Sequence, residues 1–186
     1  VVATDSMKNF IHREAVEFAG ECLEDFLVQV GERFLARYEH VEAIDLRASE
    51  TVFARRLGSV LQRLYDDYGV AEMTFYQDGT RLERSGREGL RLIKLSGSSF
   101  AGFIRDEYTT LPEAWDRPLF IHLNVSWHNA DYTRRADGEE LRKLLIATFA
   151  DFDSASIQHL VHEMGVRALD RFSEIDNIAF RAENRL

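Results

Sequence analysis

The sequence predicts an α+β protein of two tandem units, each with helices on one face of an antiparallel sheet. Three observations predict it. Stretches with helical spacing are followed by strand-like runs, an Asp78-Gly79 pair signals a hairpin between two such runs, and one helix-to-strand corner occurs twice. In that corner Arg37-Tyr38, followed by Val41, Ile44, Leu46, Arg47 and Ala48, matches Arg171-Phe172, followed by Ile175, Ile178, Phe180, Arg181 and Ala182, at constant offset. The recurrence reads as duplication. It divides the chain into a first unit over residues 1–95 and a second over 96–186.

The elements follow in order. Val1-Val2-Ala3 reads as the end of a strand, and Thr4-Asp5 as the start of a helix continued by Phe10, Ile11, Ala15 and Phe18. After Gly20, a second helix runs through Leu23, Phe26, Leu27, Val30, Phe34 and Leu35. A strand through Val41, Ile44 and Leu46 comes next. Met73–Tyr76 and Thr80–Leu82 form the hairpin around Asp78-Gly79. Leu90–Leu95 and Leu119–Trp127 are further strands, the latter largely buried. Glu139–Phe149 is a helix, and Ser154 or Ser156 caps another that reaches Phe172. Ile175–Phe180 closes as a strand. Beginning at its helices, the first unit leaves a sheet edge open, and an open edge calls for a partner chain.

Composition removes several function classes. Of 186 residues, 45% are hydrophobic and 30% charged, as in ordinary globular proteins. No apolar run approaches the roughly 20 residues that cross a bilayer, and no signal-peptide pattern opens the chain. The net charge of −9 argues against nucleic-acid binding, which needs a basic footprint. It also leaves any anion site dependent on local cations. Cys22 is the single cysteine, so an internal disulfide and a cysteine zinc site are both excluded. Lys8, Lys94 and Lys143 are the only lysines; arginine, suited to planar two-point recognition, carries most of the positive charge.

Taken singly, the candidate residues read blandly. Phe100 reads as core, Arg117 as a surface ion pair, Gln158 as a solvated helix residue, and Thr4-Asp5 as a cap. His159 and His162, with Glu163, share a predicted helix, and His122 and His128 lie on or after a strand. Neither group has the three or four ligands of a zinc site, so no metal site is assigned.

Three segments change that reading when taken together. The first is Ser99–Arg117, with its Phe100 ring, Gly102-Phe103 pair, Thr109-Thr110-Leu111 turn and closing arginine. The second is Val1–Phe10, and the third Ser156-Ile157-Gln158. Their joint occurrence, far apart in sequence, resembles the uricase (urate oxidase) family, with wording similar to its bacterial members. The resemblance implies two tunnelling-fold (T-fold) units per subunit, assembled as barrels in a homotetramer. It implies oxidation of urate by dioxygen and water to 5-hydroxyisourate and hydrogen peroxide, with neither metal nor organic cofactor, in a cytoplasmic enzyme.

Site roles are implied residue by residue. Phe100 stacks on the purine while Arg117 and Gln158 grip its edge, a ring, a guanidinium and an amide matching a flat anion rimmed by carbonyl and N–H groups. Leu111 and Ile157 line the pocket, and Asn184 holds oxygen or its replacing water. Thr4 positions and activates a water, and Asp5 contacts the purine, both reaching the site of a neighbouring subunit. Two departures stand out. The family histidine two residues after the asparagine is absent, because Arg185-Leu186 follows Asn184. The N-terminal lysine that partners the threonine has no counterpart, and Lys8 reads as a surface residue rather than its substitute. The expectation is a piece of a longer uricase, short of strands before Val1 and of residues after Leu186, with a short loop between Trp127 and Glu139. The alternatives are a non-catalytic homologue that binds purine or serves assembly, and a metal-using T-fold enzyme of pterins or guanine nucleotides.

Overall fold

The computed structural model describes residues 1–131 and 133–185. Eleven elements follow in the order α1 (Thr4–Glu17), α2 (Leu23–Arg37), β1 (Ala43–Glu50), β2 (Phe53–Arg55), β3 (Leu61–Arg63), β4 (Tyr68–Tyr76), β5 (Arg81–Lys94), β6 (Leu119–Asn129), α3 (Gly138–Asp151), α4 (Ile157–Arg171) and β7 (Ile175–Asn184). Strands β1-β4-β5-β6-β7 form one antiparallel sheet in that order, and β2–β3 form a separate two-stranded hairpin. The strands of the two expected units thus join edge to edge through β5 and β6.

Helices cover one face. In α2, Leu27, Val30, Gly31, Phe34 and Leu35 are buried at the spacing of a single helical stripe. Leu27 and Leu35 pack with Ala71, Met73 and Phe75 of β4. Gly31 is required there, since a Cβ would stand 2.4 Å from the Phe75 ring. Gly31→Ala is therefore expected to destabilise the chain in urea titration: overpacking costs about 1–3 kcal/mol and outweighs the roughly 1 kcal/mol gained in helix propensity.

On the other half, β6 alternates Leu119, Ile121, Leu123, Val125 and Trp127 into the core, where α3 and α4 cover them with Leu141, Leu145, Leu160 and Met164. Asp137 caps α3 by accepting from the backbone N–H of Glu139 and Glu140. Ser156, rather than Ser154, caps α4 by accepting from the His159 N–H.

Between the two apolar clusters, β5 turns polar on the helix face. Buried Glu83, Ser85 and Arg87 alternate there. Ser85 donates to Glu24 of α2 at 2.6 Å, Arg135 donates to Glu83 at 3.1 Å and also pairs with Asp25, and Arg87 donates to Asp67 at 2.6 Å. Arg142 of α3 donates to the same Asp67 at 2.9 Å. A charged seam thus joins the helix pairs. Burial beside Asp25 pushes the Cys22 thiol up to about 11, which makes it a poor nucleophile.

Several local expectations are corrected. Val1–Ala3 form no strand, and Ala3 occupies the α1 cap position without a side-chain cap bond, so neither Thr4 nor Asp5 caps the helix. The runs expected at 80–82 and 90–95 belong to one strand, β5, which takes in Arg81–Lys94 but neither Thr80 nor Leu95. It passes through Gly86, where a Cβ would meet the Val125 carbonyl at 2.8 Å, and through a register shift between Arg87 and Leu90. The β2–β3 hairpin was not anticipated, and β7 continues four residues beyond Phe180. Leu90 and Leu92 of β5 pack in the second cluster, not the first. Among the described residues, no helix is long and apolar enough to cross a membrane.

Candidate functional site

The loop from β5 to β6 brings Phe100 and Arg117 together. Phe100 and Ala114 exchange backbone hydrogen bonds at 2.7 and 2.9 Å, which closes the loop into a narrow-necked excursion. The Arg117 N–H then donates to the Ser98 carbonyl at 2.8 Å. Its guanidinium carbon stands 5.5 Å from the Phe100 ring centroid. Arg117 Nε is buried without a hydrogen-bond partner among the described residues, a donor held ready for an acceptor. Phe100 also stacks obliquely on Phe103, with centroids 4.4 Å apart. Leu111 is exposed in the excursion.

The α3–α4 corner is stitched to this loop. Ser99 N–H donates to the Ser154 carbonyl at 2.7 Å, and Ser154 N–H donates to the Gly97 carbonyl at 3.3 Å. Lys94, at the end of β5, donates to the Phe152 carbonyl at 2.8 Å, and Gly97 N–H donates to Asp116 Oδ1 at 2.8 Å. The stitches set the first turn of α4, with half-buried Ile157 and exposed Gln158, beside the Phe100–Arg117 neck. Backbone N–H groups of that turn are open to an acceptor. Asn184 ends β7 opposite Ile121 of β6, at the sheet end from which Arg117 leads into β6. One end of the sheet therefore gathers Phe100, Arg117, Ile157, Gln158 and Asn184.

Thr4 and Asp5 do not join them within the chain. They open α1, which packs on α2, and Asp5 accepts from Asn9 at 3.1 Å. Phe10 of α1 meets Phe34 near the end of α2, which leads to the start of β1 at the opposite end of the sheet. Leu186 lies outside the described residues. Among the described residues, no group of three or more His, Cys, Asp or Glu side chains is placed to hold a metal. His159 lies exposed, its Nδ1 accepting from the Ala155 N–H at 3.3 Å, and His128 Nδ1 lies 2.8 Å from the Glu83 carbonyl oxygen.

Sequence reasoning missed Lys94 and Gly97. Lys94 ends the alternating Leu90, Leu92, Lys94 face, where a charge among apolar residues is the available signal. Gly97 has φ +73°, and a Cβ there would stand 2.4 Å from Asp153 Oδ1. Gly97→Ala is expected to loosen the neck and raise the KM of a substrate held there about tenfold or more, because small misplacements of binding groups are costly. Steady-state kinetics on a variant with unchanged circular dichroism checks this.

Comparison with known proteins bears on the same segments. The family model described as Uricase matches residues 83–186. A uricase of Haloferax volcanii is 38% identical over 100% of this chain and 68% of its own length. A uric acid degradation bifunctional protein of Bacillus sp. TB-90 is 39% identical over 99% of this chain, which spans 41% of that protein. Among solved structures, a hyperthermostable mutant of the Bacillus sp. TB-90 urate oxidase superposes with a TM-score of 0.91 at 37% identity, covering 99% of this chain and 68% of that one. The uricase of Arthrobacter globiformis superposes with a TM-score of 0.90 at 29% identity, covering 100% and 66%.

Proposed function

The chain belongs to the uricase family, and we propose that the protein it forms oxidises urate with dioxygen and water to 5-hydroxyisourate and hydrogen peroxide. The observation that carries this reading is the pairing of Phe100 with Arg117, whose buried Nε has no partner among the described residues, beside the first turn of α4. Phe100 offers an apolar face to the purine. Arg117 and Gln158 hold its carbonyl and N–H edge, and the Ile157 N–H donates to it. These donors, fixed before substrate arrives, favour the anionic form that gives up electrons. Asn184 holds dioxygen, and then water, over the ring. Two electrons pass from the urate anion to dioxygen, which leaves as hydrogen peroxide after taking up two protons. Water then adds to the oxidised carbon. The chemistry needs neither metal nor organic cofactor, because the substrate itself reduces oxygen.

Thr4 and Asp5, at the far end of the sheet in their own chain, reach this site from a neighbouring copy, where Thr4 positions the water. The assembly is a homo-oligomer, a tetramer in our reading, of a cytoplasmic enzyme. Its subunits contain two T-fold units, which in this chain take residues 1–95 and 96–186. The separation of Thr4 and Asp5 from Phe100 favours one competing reading, a non-catalytic homologue that binds purine or serves assembly. Urate-dependent peroxide release by the full-length protein, unaffected by chelator, is expected. Urate binding without turnover would establish the alternative, and loss of turnover on chelation would establish a metal enzyme.

A further inference from the structure

The β2–β3 hairpin stands apart from the main sheet as a two-stranded arm. Such a hairpin is marginal on its own, yet it exposes Phe53, Leu57, Val60 and Leu61 at 55, 82, 57 and 58%. It carries Arg55, Arg56 and Arg63, with no acidic residue between Val52 and Leu64. Their recorded side-chain hydrogen bonds all go to neutral acceptors: the Gly58 carbonyl, Gln62 Oε1 and the Asp66 carbonyl. Among the described residues, none of the three guanidiniums meets a carboxylate. This is an apolar, cationic projection on a chain of net charge −9.

A second surface has the opposite character. In the excursion from Phe103 to Asp116, Ile104, Tyr108, Leu111 and Trp115 are exposed at 93, 81, 61 and 75%. Asp106, Glu107, Glu113 and Asp116 stand against Arg105 alone. Backbone N–H groups and the Thr109 hydroxyl donate to Asp106, Glu113 and Asp116. Among the described residues, no cation pairs with any of the four carboxylates. Contiguous exposed apolar side chains of this kind mark interaction sites, and complementary charge sets which surfaces meet. Each surface supplies what the other lacks, and both are exposed among the described residues.

We propose that the β2–β3 arm of one copy docks on the Phe103–Asp116 excursion of a second copy of this chain. Apolar side chains meet in the middle, with the three arginines against the four carboxylates at the rim. The excursion is the loop that holds Phe100 and Arg117 at its neck, so the docked arm presses Leu111 over them and keeps water from the site. This consequence, though not the contact, rests on the urate reading above.

The test uses Leu57→Cys and Tyr108→Cys on one chain, in a Cys22→Ser background, treated with a short bismaleimide. Both positions are exposed, so the fold is retained. Covalently linked dimers are expected, with at least about tenfold fewer when Arg55, Arg56 and Arg63 are all changed to Glu. Val16→Cys, exposed on α1, replaces Tyr108→Cys as the collision control. Linkage only within single chains overturns the proposal, as does no linkage above the control, or linkage unchanged by the arginine reversal. The urate reading is checked separately by peroxide release from the unsubstituted protein. Linked dimers without that activity would leave the contact standing and the urate reading refuted.

Discussion

Arg117→Ala is expected to reduce urate turnover about 10³-fold in a variant that folds normally. The size follows from removing a preorganised donor aimed at developing negative charge, which typically costs about 10²–10³ in kcat, and from losing the two-point grip that positions the ring. Arg117 lies at the neck of the excursion, where its backbone is held by Ser98 and its guanidinium lies against Phe100. Its removal therefore empties the site without dismantling it. Arg117→Lys is expected to recover little, since a point charge cannot reproduce the planar fork. Peroxide release measured beside circular dichroism checks both variants. Wild-type turnover in folded Arg117→Ala would refute the assignment of the site.

Asp67→Ala is expected to cause the largest loss of stability, up to about 3–5 kcal/mol, because it takes the shared carboxylate from buried Arg87 and half-buried Arg142 and leaves both to Glu139. For a chain of this size the melting temperature falls by roughly 6–20 °C. Asp67 lies between Arg87 and Arg142, and the side chains of Asp67 and Arg87 are 5 and 7% exposed. Arg142 also lies 3.8 Å from the centroid of the Tyr65 ring. Replacing the triad together by apolar residues of similar volume is expected to cost far less, which separates the stranded charge from lost packing.

Burial opposes ionisation of Asp67, but hydrogen bonds and charge from Arg142 and Arg87 outweigh it and hold its carboxyl below the ordinary 3.8. A depressed folded value means this stabilisation is present above the unfolded value and is lost as pH falls through the folded one. Acid titration of stability should therefore flatten below pH 4 in Asp67→Ala relative to the wild type. An unchanged acid profile would show that the seam does not depend on this carboxylate.

How much of the molecule was legible before folding differs by element. The helices were, because buried positions such as Leu27, Val30, Phe34 and Leu35 repeat at the helical period whatever they pack on. So was β6, whose alternation declares a buried face. The continuity of β5 was not. Its middle carries Glu83, Ser85 and Arg87 inward, which reads as a solvent face until Glu24, Arg135 and Asp67 are seen to meet it. The β2–β3 arm was hidden for a related reason: its apolar residues are exposed, so no burial pattern marks them.

The chemistry of the candidate site was determined by sequence alone. Which residue types occur, and in which recognisable segments, is a property of the chain and needs no coordinates. Tertiary structure decided what those residues can do together. Stitches through Lys94, Gly97, Ser98 and Ser154 set Phe100, Arg117 and the start of α4 side by side, while packing of α1 on α2 carries Thr4 and Asp5 to the other end of the sheet. Sequence spacing carries no information about which end of a sheet a loop leaves from. That is set by strand order and by backbone hydrogen bonds between segments distant in the chain.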